Sequence, residues 1–129
     1  MLKINISNLE SELQHGMKIL EKYHFLQVCE GGLKIRAEHG KVLKIGKRDD
    51  ILNITYNTKS HFYMALARTI GMEMGEQVIE PKVENLGFML DCSRNAVPTV
   101  ETVKQLICLL ALLGYTYLEL YTEETYELP

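Results

Sequence analysis

Residues 86–121, LGFMLDCSRNAVPTVETVKQLICLLALLGYTYLELY, spell a strand, a turn, a helix and a second strand. The return from helix to strand is so short that the two strands should pair in parallel, joined by a right-handed crossover. Residues 86–90 are a nearly continuous apolar run, the pattern of a parallel strand buried on both faces. The turn SRNAVP leads into Thr99, a suitable helix cap, and Gly114 is placed to end the helix after Leu113. Residues 115–121 make the second strand. Asp91, Cys92, Ser93 and Arg94 then fall at the carboxyl end of the first strand, which is where parallel α/β folds bind ligands.

Residues 1–75 have a different grammar. Leu2, Ile4 and Ile6 alternate with Lys3 and Asn5, the period of a half-buried strand. Ser7 and Glu10 have capping-box spacing for a helix over residues 8–23, whose apolar stripe is Leu9, Leu13, Met17 and Leu20. Gly16 weakens the middle of that helix by about 1 kcal/mol against alanine, which points to close packing there. Between residues 25 and 56 the period is two. Gly31-Gly32, His39-Gly40 and Arg48-Asp49-Asp50 divide this segment into four strands, near 25–30, 33–38, 41–46 and 51–56. Turns this short predict antiparallel neighbours. Asn57, Thr58 and Ser60 offer caps for a helix over 59–74 that turns Phe62, Leu66, Thr69 and Ile70 inward. The expectation is an α+β amino-terminal domain over residues 1–75, of order β-α-β-β-β-β-α, with a mainly antiparallel sheet and two helices on one face. Residues 76–85 read as a linker, and residues 86–129 as a βαβ unit.

Composition narrows the function classes. A net charge of −3 gives no general push toward nucleic acid or a membrane surface, and neither partner is expected. The basic cluster Lys34, Arg36, Lys41, Lys44, Lys47 and Arg48 lacks interleaved aromatic residues for base stacking, so it reads as the solvated face of a sheet. The longest apolar run, 106–113, is far below the roughly 20 residues that span a bilayer. The amino terminus lacks the apolar core of a secretory signal, and a cytoplasmic location is expected. Cys29, Cys92 and Cys108 are odd in number and without CxxC spacing, so they read as small buried apolar residues, not as a disulfide framework or zinc site. His15, His24, His39 and His61 have no metal-ligand spacing. No metal and no cofactor is implied. Glu10 with Glu12 and Asp49 with Asp50 fall on a helix surface and a turn, where water is their partner.

The run GFMLDCSRNAVPTVETVKQLICLLALLGYTYLELYTEETYE resembles the opening of the catalytic barrel of glycoside hydrolase family 20, the β-N-acetylhexosaminidases. It looks closest to a bacterial branch that carries a LYTE-type sequence after the second strand. The preceding residues resemble the family's non-catalytic amino-terminal domain in layout. The resemblance implies that residues 86–129 are the first βαβ of a (β/α)8 barrel. It also implies a parent enzyme that removes terminal β-linked N-acetylhexosamine from glycans by substrate-assisted retaining hydrolysis, one of the exceptions to the two-carboxylate scheme. In the family, an adjacent Asp and Glu after the fourth barrel strand orient the acetamide and protonate the leaving oxygen. No such pair occurs in this sequence, and a complete barrel needs about 250 residues. The chain is therefore expected to be a truncated piece of such an enzyme and inactive alone. Its catalytic residues are not among residues 1–129.

Arg94 is the leading substrate-binding candidate. Its planar fork of donors suits neighbouring sugar hydroxyls as well as a carboxylate. Chemistry alone leaves two roles open, closing the strand end against Asp91 or gripping a ligand; the resemblance implies the second, with Arg94 on the C3 and C4 hydroxyls. Asp91 is a candidate helper that orients Arg94 or touches substrate. Glu123 follows the second strand on the same side, although the chain reads Tyr121, Thr122, Glu123, Glu124, where many family members carry a His-x-Ser/Thr-Asp-Asp-Gln pattern. A second function class also fits: a complete small α/β binding or oligomerisation module without enzymatic activity. The helix segment 106–113 is apolar on every side, so in this chain exposed strands and the helix from Val100 to Leu113 are expected to drive self-association.

Overall fold

The structure, a computed structural model, describes residues 1–93 and 97–123. The chain order is β1 (Leu2–Asn5), α1 (Ser11–Lys22), β2 (Leu26–Val28), β3 (Leu33–His39), β4 (Leu43–Arg48), β5 (Ile51–Tyr56), α2 (Lys59–Arg68), β6 (Gly75–Ile79), β7 (Gly87–Asp91), α3 (Val100–Leu113) and β8 (Tyr117–Tyr121). This is an α+β architecture with three helices, a six-stranded sheet and a separate pair of strands.

The large sheet has the order β2-β1-β3-β5-β4-β6 and is mixed, which corrects the mainly antiparallel sheet expected from the turns. β1 pairs in parallel with β2 and β3, and β3 in parallel with β5. Only β4 is antiparallel to its neighbours, β5 and β6. The physical reason lies in the glycines. A Cβ at Gly32 would sit 2.5 Å from the Ile4 backbone nitrogen, so this glycine lets the connection pass close against β1. β1 accordingly lies between β2 and β3. At Gly40, whose N–H donates to the Tyr56 carbonyl at 2.9 Å, the chain runs past the end of β5 before turning into β4. Asp49-Asp50 alone makes a tight hairpin, with Arg48 opposite Ile51 and Asp49 at φ 51°.

α1 starts at Ser11, three residues later than the capping-box spacing predicts. The Asn5 side chain takes the Ser7 amide at 3.0 Å, and Glu10 reaches the Tyr56 hydroxyl at 3.3 Å instead. Its apolar stripe is as predicted: Leu9, Leu13, Met17 and Leu20 are buried. Gly16 packs against Tyr63, whose hydroxyl lies 1.8 Å from where a Cβ would stand. α2 is capped by Thr58 and buries Phe62, Ala65 and Leu66, while Thr69 at its C-cap is buried too. Ile70 was expected inside and is 66% exposed, because α2 ends at Arg68 and Gly71 turns the chain at φ 77°. These helices share one core with Ile4, Ile35, Leu43, Ile45, Leu52, Ile54 and Tyr56 of the sheet. Residues 76–79, read from sequence as part of the linker 76–85, instead belong to β6 (Gly75–Ile79) on the edge of that sheet.

The second unit follows its sequence reading in strand pairing and helix caps but not in burial: β7, expected to be buried on both faces, has no buried residue, and Met89 on it is 61% exposed. β7 and β8 are parallel with Gly87 opposite Tyr117 and Asp91 opposite Tyr121. Thr99 caps α3 through the Thr102 amide, and Gly114 ends it at φ 87°. α3 sits on α2, where a Cβ at Gly114 would meet Met64 Sδ at 2.6 Å and Cys108 joins the common core.

Candidate functional site

The carboxyl ends of β7 and β8 bring together Asp91, Ser93, Tyr121 and Glu123. The Asp91 carboxylate accepts hydrogen bonds from the Ser93 amide at 2.8 Å and the Ser93 hydroxyl at 2.5 Å. This self-contained turn bends the chain away from the strand. The Cys92 amide donates to the Tyr121 carbonyl at 2.8 Å and holds the turn against β8. The Tyr121 hydroxyl donates to Glu123 Oε1 at 3.0 Å. That bond, then partial burial, then the negative charge of Asp91 push the phenol above its ordinary value. Two carboxylates on adjacent strand ends therefore flank one tyrosine.

Of the three predicted residues, Asp91 and Glu123 lie on the same rim and Arg94 falls outside the described residues. Ser93 was placed at this strand end from sequence without a role, and Tyr121 was not singled out. The signal for Tyr121 was available: with parallel strands read as 86–90 and 115–121, the strand ends face one another, and the last aromatic of the second strand stands beside Asp91.

Beside this rim an apolar groove runs between α3 and β8, lined by Val97, Val100, Val103, Ile107 and Leu120. Ile107 is 48% and Leu120 50% exposed. By register, Gly87, Met89 and Asp91 share a face with Tyr117, Glu119 and Tyr121 on the two-stranded sheet, and Met89 is 61% exposed there.

Other sequence candidates separate in space. On the open face of the large sheet, Lys44 pairs with Glu76 at 2.8 Å, whereas Lys47 turns toward the loop after α2 and donates to the Met72 carbonyl at 2.7 Å. The basic cluster is thus split between two faces and partly neutralised. Cys29, Cys92 and Cys108 are free thiols, and burial pushes that of Cys108 up. Among the described residues no three His, Cys, Asp or Glu side chains are placed to hold a metal ion. No described helix is long and apolar enough to cross a membrane.

Neither a protein-family model nor a curated protein sequence matches the chain. Solved structures do. The GH20 exo-β-N-acetylglucosaminidase of Vibrio harveyi, in complex with N-acetylglucosamine, superposes with a TM-score of 0.60 at 22% identity over 93% of this chain. The GH20 β-N-acetylhexosaminidase of Streptomyces coelicolor gives a TM-score of 0.65 at 17% identity, again over 93% of this chain. The fold is one seen in family 20 glycoside hydrolases. The chain spans 22% of the Vibrio enzyme and 30% of the Streptomyces enzyme.

Proposed function

We propose that the chain is part of a family 20 glycoside hydrolase that removes terminal β-linked N-acetylhexosamine from glycans. One observation carries this reading: 93% of the chain follows the backbone of enzymes named for that activity. In the proposed arrangement the six-stranded sheet with α1 and α2 is a supporting layer, and β7, α3 and β8 begin the catalytic barrel. β6 completes the supporting layer, so the division between the two falls after Ile79.

The reaction in this reading is substrate-assisted. The sugar's acetamido oxygen attacks the anomeric carbon as the glycosidic bond breaks and the leaving oxygen takes a proton; water then attacks the same carbon, opening the resulting ring and restoring the acetamide with net retention. The residues of this chain contribute binding. Arg94 donates to the C3 and C4 hydroxyls, and Asp91, fixed by Ser93, either orients that guanidinium or accepts from the sugar. Glu123, held by Tyr121, lines the neighbouring strand end. The Asp-Glu pair that the mechanism requires is not in residues 1–129. The isolated chain is accordingly inactive on a nitrophenyl N-acetyl-β-glucosaminide. The gene product containing it turns that substrate over, and Arg94→Ala in that product impairs turnover. An Arg94→Ala gene product with full activity overturns the site assignment.

The α3 groove favours a second reading, that of a binding module which self-associates through its apolar helix and open strands. Light scattering on the 129-residue chain tests it: oligomers support it, and a monomer with little dye-accessible apolar surface contradicts it. Continued coding after Pro129 through an Asp-Glu pair supports the enzyme, and a stop codon there supports the module.

A further inference from the structure

The supporting layer reaches the second unit through a polar bridge as well as through apolar packing. Tyr23, at the C-cap of α1, donates its hydroxyl to Glu101 Oε2 at 2.9 Å. Glu101 lies in the first turn of α3, two residues after the Thr99 cap, and its other oxygen accepts from Lys104 Nζ at 2.9 Å. The Tyr23 ring itself packs on the common core, so the hydroxyl projects from a fixed base. At the end of β7 the Cys92 amide is bound to β8 and Asp91 holds Ser93. Thr99 caps α3, accepting from the Thr102 amide at 3.2 Å and, through its carbonyl, from the Val103 amide at 3.0 Å. Val100 and Val103 of that first turn line the groove together with Cys92 and Thr122, so whatever fixes the turn fixes one wall of the groove.

We infer that Tyr23 is a positioning residue: acting through Glu101, it sets the first turn of α3, which walls the groove beside the Asp91–Tyr121 rim. The inference rests on the proposed hexosaminidase reading for its consequence in catalysis, but not for the bridge itself. Glu101 is held below the usual carboxylate range by Lys104 and then by Tyr23, and the Tyr23 phenol is raised, by burial first and then by Glu101. Both shifts agree with a hydroxyl donating to an ionised carboxylate.

Hydrogen exchange on this chain tests the bridge. Tyr23→Phe keeps the ring and removes the donor, and should speed exchange at the Thr102 and Val103 amides by about three- to tenfold, with β3 and β5 unchanged. Glu101→Ala should match it and the double variant should add nothing, whereas Glu101→Gln, which keeps an acceptor, should recover most of the protection. No change in Tyr23→Phe, a uniform change across the chain, or equal effects of Gln and Ala at Glu101 would each overturn the inference. In the gene product that turns over substrate, Tyr23→Phe should raise KM more than it lowers kcat; unchanged kinetics there would overturn the positioning role. Arg94→Ala in the same product separates the two ideas. If it is neutral, the site reading fails while the exchange result still judges the bridge.

Discussion

The molecule contains two strand-helix-strand units with parallel strands, β1-α1-β2 and β7-α3-β8, and they end up in opposite physical states. α1 has a single apolar stripe, and Leu13, Met17 and Leu20 are sealed against the sheet. Its strands continue into a six-stranded sheet that supplies the cover. The 106–113 segment of α3 is apolar on every side, yet among the described residues only Cys108 and Leu110 of α3 are buried, and β7 and β8 pair only with each other. The closed unit ends its strands in turns and a loop that hold the fold. The open unit ends its strands in Asp91, Ser93, Tyr121 and Glu123, a polar rim beside an apolar groove. Burial is largely complete around α1, whereas Met89, Ile107 and Leu120 of the other unit remain about half exposed or more.

The difference can be broken most sharply by paired truncations. Met17→Ala removes a fully buried side chain and should cost about 2–5 kcal/mol in urea unfolding. Ile107→Ala, at the same kind of helical position, should cost under about 1 kcal/mol because its site is half open to water. Equal costs would mean that α3 is as well covered as α1. Gly16→Ala tests how tightly the closed unit is packed: the new methyl needs space now held by the Tyr63 ring, and a loss of about 1–3 kcal/mol is expected. Adding Tyr63→Phe should return part of it.

Much of this was legible in the sequence, though unequally. The parallel pairing of β7 and β8, the Thr99 cap and the Gly114 stop follow from local chemistry, since each depends on residues within one short segment. The apolar stripe of α1 was legible for the same reason. Sheet order was not. Gly31-Gly32 and His39-Gly40 look like hairpin turns, but here the glycines let the chain pass close to neighbouring strands, and only tertiary contact reveals which. The start of α1 was misplaced because Asn5 competes for the amide that the capping box required. At the site, Asp91 and Glu123 were found from strand-end position, whereas Tyr121 needed the register between two strands.

A smaller effect sharpens the contact between the closed and open units. Glu101 titrates below its ordinary value of 4.5, so the stability it contributes is present above that value and is lost as pH falls through its lowered folded value. Glu76 on β6, paired with Lys44 on β4, behaves in the same sense. Unfolding between about pH 5 and pH 3 should therefore show a flatter acid limb in Glu101→Gln than in the parent chain, by an amount near the limit of measurement for an exposed pair. The smallest expected change is in Ile107→Lys. It should leave unfolding almost unaltered while reducing any self-association seen by light scattering.

If the open rim is part of an N-acetylhexosamine site, as proposed, turnover by the gene product that contains this chain depends on Arg94. A nitrophenyl N-acetyl-β-glucosaminide should be hydrolysed measurably, and Arg94→Ala should lower that rate by roughly a hundredfold or more. Hydrolysis that is indifferent to Arg94, or a gene product with no hydrolysis at all, would contradict the proposed site.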